Sequence, residues 1–188
     1  MPPEADDVLI RPWQSGDAPA LHAAVRASLA TLSRWLPWAT DAYDLSSAAD
    51  WIAHCARIQD TGEEHHFGIF DAIDGRVLGG VGINHRIRAY RSAHMGYWVS
   101  DAARGRGLAV AAAHQAATFG FDALGLQRIS ILVQPENRAS LRVAIKLGAV
   151  CEGIARDAIV FDGAACDAVV FSLLPRDLAQ APPSAGGD

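Results

Sequence analysis

Lysine is almost absent from this chain: Lys146 is the only one among 16 basic residues, and the other 15 are arginine. Glutamate is nearly as scarce, with Glu4, Glu63, Glu64, Glu136 and Glu152 set against 16 aspartates. A bias toward alanine, arginine and aspartate follows genome base composition, but the lack of glutamate restricts which side chains can serve as a base. Cysteine is limited to Cys55, Cys151 and Cys166, an odd number at wide spacing, so neither a disulfide framework nor a zinc motif follows. An apolar run long enough to cross a bilayer, about 18 residues, is missing. The nearest approach, Leu108 to Phe121, is interrupted by His114, Gln115 and Thr118. Excess positive charge is missing too: 16 basic against 21 acidic residues give a net charge of −5, which argues against nucleic acid or an anionic membrane as partner. The first seven residues are acidic and lack the positive start and apolar core of a signal peptide, so a cytoplasmic protein is expected.

What remains is an ordinary globular mixture of 188 residues, 51% hydrophobic and 20% charged, enough for one domain. Residues 1–7 and 179–188 are rich in proline, glycine and polar residues and predict disordered ends. A single domain is expected over 8–178.

Val8 to Trp13 predicts a strand. Leu21, Val25, Leu29 and Leu32 recur at helical spacing after Asp17 and predict one helix to about Ser33. Ser46 or Ser47 is placed to cap a second helix, Ala48 to Ile58, with Gly62 ending it. The runs 65–72 and 76–85 flank Asp74-Gly75, a strong hairpin signal, and 92–100 continues as a third antiparallel strand. A long helix over 108–124, a central strand over 127–134 and a helix over 137–147 stopped by Gly148 come next. A last hairpin, 149–158 and 164–173, turns at Asp162-Gly163. The order βααβββαβαββ requires a crossover at its middle β-α-β unit, hence a mixed, mostly antiparallel sheet of the α+β class flanked by helices.

The stretch that carries chemistry runs from Tyr97 to Ala109. A strand ends, a short loop presents Arg104, Gly105, Arg106 and Gly107, and a long helix begins at Leu108. A helix start leaves N–H groups unpaired and carries partial positive charge, so it attracts anions, and the glycines allow backbone to approach a phosphate closely. The spacing is not a dinucleotide fingerprint, because Val110 stands where the third glycine belongs, nor a P-loop, because no Gly-Lys-Ser/Thr exists.

Arg104-x-x-Gly107-x-Ala109 resembles the signature of the GNAT-fold N-acetyltransferases, and the element order is similar to theirs. Trp35-Leu-Pro-Trp38, Gly96-Tyr-Trp98, Phe119-Gly-Phe121, Pro135-Glu-Asn137-Arg-Ala-Ser140 and Lys146-Leu-Gly148 resemble the RimJ/RimL group, which includes acetyltransferases of ribosomal-protein N-termini. This resemblance covers residues 8 to 178 and implies a GNAT fold. It implies acetyl-coenzyme A as co-substrate, no metal, and a primary amine as acceptor, either a protein N-terminus or a small molecule. Arg104 to Ala109 would surround the pyrophosphate. The strands 92–100 and 127–134 would be parallel neighbours that splay to admit the pantetheine arm, with a backbone N–H near Trp98 or Val99 as oxyanion donor.

The base often contributed by a glutamate two residues ahead of Gly-Tyr-Trp is replaced here by His94, whose imidazole titrates near neutrality; His85 is the next candidate. His65 and His66 are adjacent, so a strand would point them to opposite faces and spoil a shared metal site. The tyrosine many relatives use as acid falls at Ala144, which leaves Ser140 for the sulfur, with Asn137 capping the helix and contacting the pantetheine arm. Arg138 and Arg142 are placed for the nucleotide. By resemblance Trp35, Trp38 and Trp51 would line the acceptor cleft; core packing is the alternative, and it is the favoured one for Trp51, which sits on a helical stripe. Asp41 and Asp44 are placed to attract a cationic amine. An inactive acyl-coenzyme-A sensor and a transferase of a larger acyl group such as succinyl remain alternatives, and a homodimer is common among similar proteins.

Overall fold

The computed structural model describes residues 8–180, so the expected tails at 1–7 and 181–188 lie outside the described residues. The elements are β1 (Val8–Pro12), α1 (Ala18–Ala27), α2 (Leu29–Leu32), α3 (Leu45–Thr61), β2 (His65–Asp71), β3 (Val77–Ile87) and β4 (Ser92–Val99). After them come α4 (Leu108–Asp122), β5 (Arg128–Val133), α5 (Arg138–Lys146), β6 (Val150–Phe161), β7 (Ala164–Leu173) and α6 (Pro175–Gln180). One sheet holds all seven strands in the order β1-β2-β3-β4-β5-β7-β6. Only β4 and β5 pair parallel; every other neighbouring pair is antiparallel, as the mixed-sheet expectation required.

Two apolar layers sandwich the sheet. Ile83, Met95, Ile129 and Phe171 pack against Leu108, Ala113 and Ala117 of α4 and Leu147 after α5. On the other face Trp13, Phe70 and Val77 pack against Leu21 and Val25 of α1 and Ile52 and Cys55 of α3. Strands β2 and β3 are covered on both sides and almost continuously buried, whereas β6 lies at the edge and is mostly exposed.

The single helix expected from Asp17 to Ser33 is interrupted at Ser28, which is 1% exposed and leaves helical geometry at φ −112°. Its hydroxyl accepts from the Asp101 backbone N–H at 2.9 Å, a tertiary contact that hydrophobic periodicity cannot reveal. Helix α3 starts earlier than expected, because Asp44 rather than a serine caps it, accepting from Ser47 N–H at 2.8 Å. Gly62 in left-handed geometry ends α3 as expected. Helix α6, which the sequence did not predict, begins at Pro175 and sets Leu178 against the core around α4.

Candidate active site

The centre of the site is the point where β4 and β5 part. Their register runs Ser92 to Arg128, Ala93 to Ile129 and His94 to Ser130 and then stops. Beyond it β4 remains paired to β3, and β5 to β7, so each strand has one edge of backbone groups without a strand partner. A wedge of about 270 Å³ opens there between Met95–Tyr97 and Ile131–Gln134, bounded by Trp35, Asn137 and Ser140. The Tyr97 phenol closes one side: it donates to the Ser140 carbonyl at 3.2 Å and accepts from the Ser140 hydroxyl at 3.2 Å. Burial pushes this phenol up to about 12, so it holds its proton at any working pH. Asn137 caps α5, its side chain accepting from Ser140 N–H at 3.1 Å, and lines the wedge as well.

At the far end of β4 the chain passes through the glycine loop. Gly105 (φ +80°) and Gly107 (φ +76°) are both left-handed, and nothing stands within 4 Å of where a Cβ would be, so the loop's outer side is open. The Val110 and Ala111 N–H groups return to the Gly107 carbonyl, which leaves Leu108 and Ala109 as the free N–H groups of the helix start. The residues present therefore fit a pyrophosphate here and an extended arm in the wedge. Both arginine side chains turn back on the loop, Arg104 to Asp101 at 3.3 Å and Arg106 to the Ala102 carbonyl. Asp101 also accepts from Thr31 at 2.9 Å, tying the loop to α2.

A second, larger cavity of about 590 Å³ lies on the opposite face, between the sheet, α1, α3 and the segment 36–43. Its walls are largely aromatic: Trp13, Trp38, Tyr43, Trp51 and Trp98. Its floor is glycine, namely Gly80, Gly82 and Gly96, and among the described residues no carboxylate, lysine or arginine lines it. Gly80 is needed because a Cβ there would sit 2.8 Å from the Trp98 indole nitrogen. Leu36, Gly96 and Tyr97 line both cavities, so the two spaces meet over the parting strands.

The expected residues distribute as follows. Trp35 faces the wedge and Trp38 the aromatic cavity, where its ring meets Trp98 edge-on at 6.1 Å. Trp51 is not a core residue: it is 38% exposed and lines the cavity. Asp41 and Asp44 line neither space, and Asp44 is occupied as a helix cap. Trp98 pairs with Gly80 and Val99 with Gly79 at the end of β4. His94 is the last residue paired to both neighbours, its ring 5.6 Å from that of exposed His85, and neither histidine lines these two cavities. Burial, then His85 and Arg128, holds His94 below its ordinary value. His65 and His66 do point to opposite faces, His65 toward Phe119 under α4 and His66 toward Trp51 of α3. Among the described residues no cluster of His, Cys, Asp and Glu suits a metal ion, and no helix is long and apolar enough to cross a membrane.

The structure also brings Tyr97 to the wedge and His66, bonded to Glu64, to the aromatic cavity, residues that carry no separate catalytic signal in the sequence. Tyr97 stands inside the Gly-Tyr-Trp motif. Glu64 and His66 lie two apart, the spacing that puts both on one strand face.

A mixed sheet whose one parallel pair among the described residues parts beside a glycine turn at a helix start is the architecture that this chain shares with a class of acyltransferases. Residues 7–150 match the acetyltransferase (GNAT) domain model. The chain is 35% identical over 140 residues to the Bacillus subtilis protein named "Probable N-acetyltransferase YjcK", covering 74% of this chain and 77% of that protein. It is 25% identical over 150 residues to the ribosomal protein uS5-alanine N-acetyltransferase of Escherichia coli, covering 78% and 76% of the two chains. The structure of Mycobacterium smegmatis RimJ in complex with CoA-disulfide superposes with a TM-score of 0.82 at 29% identity, over 93% of this chain and 85% of that one. The chain belongs to the GNAT family of acetyltransferases. It is an acyltransferase, with acetyl-coenzyme A as its co-substrate.

Proposed function

We propose that the chain transfers an acetyl group to a single primary amine carried on an uncharged, apolar body, a protein N-terminal α-amine being the acceptor of this kind. The observation that carries this reading is that Gly96 and Tyr97 line both the donor wedge and the aromatic cavity, so donor and acceptor meet without an intermediate carrier. The amine nitrogen bonds to the acetyl carbon, the carbon–sulfur bond breaks, and no residue is acylated. A backbone N–H near Trp98 or Val99 receives the developing oxyanion. The absence of carboxylates from the cavity lining disfavours polyamines and aminoglycosides, whose several cations would be desolvated unpaired. A relative named as the ribosomal protein uS5-alanine N-acetyltransferase supports an acceptor amine on a protein.

Coenzyme A release tests this with acetyl- and succinyl-coenzyme A against an alanine-initiated peptide, phenylalaninamide, spermidine and an aminoglycoside. The first two amines with the acetyl donor are expected to turn over fastest. Preference for spermidine would sink the acceptor assignment, and bound acetyl-coenzyme A with no release on any amine would make the chain a sensor.

The leaving thiolate needs a proton, and the Tyr97 phenol held by Ser140 is the donor group in the wedge. Tyr97→Phe is expected to lower kcat about 100-fold, the lower range of a lost acid, while coenzyme A affinity stays within about threefold. Ser140→Ala should act in the same direction and add little to the first change, because the two hydroxyls work as a unit. Unchanged kcat in Tyr97→Phe, measured by thiol release, removes Tyr97 from this role.

A further inference from the structure

Resting on the N-acetyltransferase reading, we infer that His66, oriented by Glu64, is the base that takes the proton of the acceptor amine. His66 lies opposite Gly82 on β3, and Gly82 lies opposite Gly96 on β4. These three positions form one row across the sheet, spanning about 10 Å at the ordinary strand spacing. The imidazole covers Gly82 so closely that a Cβ there would be 2.3 Å from Nδ1 and 2.9 Å from Cε1. At Gly96 nothing stands within 4 Å of the same position. The imidazole therefore occupies the place over Gly82 and leaves only the place over Gly96 open, at the end of the row where β4 parts from β5. An amine nitrogen, alone or with one water, fills the gap between Nδ1 and the space over Gly96.

The ring is fixed on its other sides. Nε2 lies 2.8 Å from Glu64 Oε2, and Trp51 meets the ring edge-on with centroids 4.8 Å apart. A carboxylate accepts from a donor, so Nε2 carries the proton and Nδ1, on the Gly82 side of the ring, keeps its lone pair. Glu64 then supports the imidazolium as it forms. His65, one residue earlier, shows the contrast: both its ring nitrogens are buried without a partner and it faces away from the cavity. The titratable groups around His66 are Glu64 on its own strand, His54 on α3 and His85 on β3, and Tyr43 lines the same cavity, whereas the Tyr97 phenol is turned to Ser140 in the wedge. Burial holds His66 below its ordinary value while Glu64 works against that, so it is neutral and able to accept near pH 7.

In the reaction the ammonium proton passes to Nδ1, the freed amine attacks the acetyl carbon, and the carbon–sulfur bond breaks as sulfur takes the Tyr97 phenol proton; the second proton of the nitrogen, released as the amide forms, restores the phenol through solvent. The imidazolium then returns its proton to solvent. No oxidant or further reactant is needed.

The test is the pH profile of kcat/KM for acetylation of the alanine-initiated peptide by the full chain. His66→Gln should lower kcat about 100-fold, leave coenzyme A affinity within about threefold, and abolish the acid limb set by the imidazole. Glu64→Gln should cost about tenfold and move that limb to lower pH, because the carboxylate raises the His66 value. His94→Gln should leave both rate and profile in place. A rate and limb that survive in His66→Gln, or that vanish in His94→Gln, overturn the assignment. If His66→Gln does not fold, imidazole nitrogen NMR of the unaltered chain decides: protonated Nε2 with bare Nδ1 upholds it, and the opposite tautomer overturns it. An unaltered chain that binds acetyl-coenzyme A yet acetylates no amine fails the transferase reading and this one together. An active chain indifferent to His66 fails this one alone.

Discussion

Gly107→Val is expected to weaken coenzyme A binding on the order of 1000-fold while the chain remains folded. Gly107 caps α4 at φ +76° and ψ −2°, and no atom stands within 4 Å of its missing Cβ. The penalty is therefore conformational rather than steric: a β-branched residue resists this geometry by more than the usual 1–2 kcal/mol or so per L-residue. Leaving it re-aims the Leu108 and Ala109 N–H groups, and each charge-assisted bond to phosphate is worth about 1.5–3 kcal/mol. The two losses together reach about 4 kcal/mol, the equivalent of that factor. Gly107→Asn provides the internal check, since asparagine tolerates left-handed backbone and should retain much of the affinity. Calorimetric titration with coenzyme A decides; a valine variant that binds as tightly as the parent would remove the loop from the phosphate site.

Gly79→Ala should cost about 3 kcal/mol of stability and lower Tm by about 6–12 °C. A Cβ at Gly79 would stand 2.2 Å from the Trp98 carbonyl oxygen and 3.0 Å from the Val99 Cα. These are backbone atoms of β4, so no side chain can swing aside and the strands must separate. The damage falls where Ser100 N–H donates to the Leu78 carbonyl at 2.8 Å, just before the glycine loop, so coenzyme A affinity should fall as well. Gly16→Ala, at a position with nothing within 4 Å and no left-handed backbone, is the control and should leave Tm within about 1 °C. Thermal unfolding of the two variants side by side measures the difference; equal Tm values would show that β3 and β4 have slack at this contact.

The elements legible in the chain were those with strong local signals. The Asp74-Gly75 and Asp162-Gly163 hairpins form with Gly75 at φ +73° and Gly163 at φ +74°, and α4 starts at Leu108 as expected. What periodicity could not supply was a boundary dictated from far away. Ser28 breaks the first helix because Asp101, 73 positions later, needs its hydroxyl. Trp51 sits at helical spacing, which suggests a core residue, yet Ala48, Ile52 and Cys55 form the buried stripe of α3 and Trp51 beside them faces the cavity.

Residue types and their order along the chain were sufficient to determine the order of the seven strands and the longer helices among them, the crossover that makes one strand pair parallel, and the open glycine turn before a helix, though not the break at Ser28 or α6. These depend on local backbone preference and on hydrophobic period, which are properties of neighbouring residues. The folded sheet alone decided which chemical groups share a space. Register sets His66 in a row with Gly82 and Gly96 while His94, nearer to Gly96 in sequence, lines neither cavity. Adjacency across strands is fixed by hydrogen-bond pairing between segments far apart in the chain, and spacing along one segment carries no record of it.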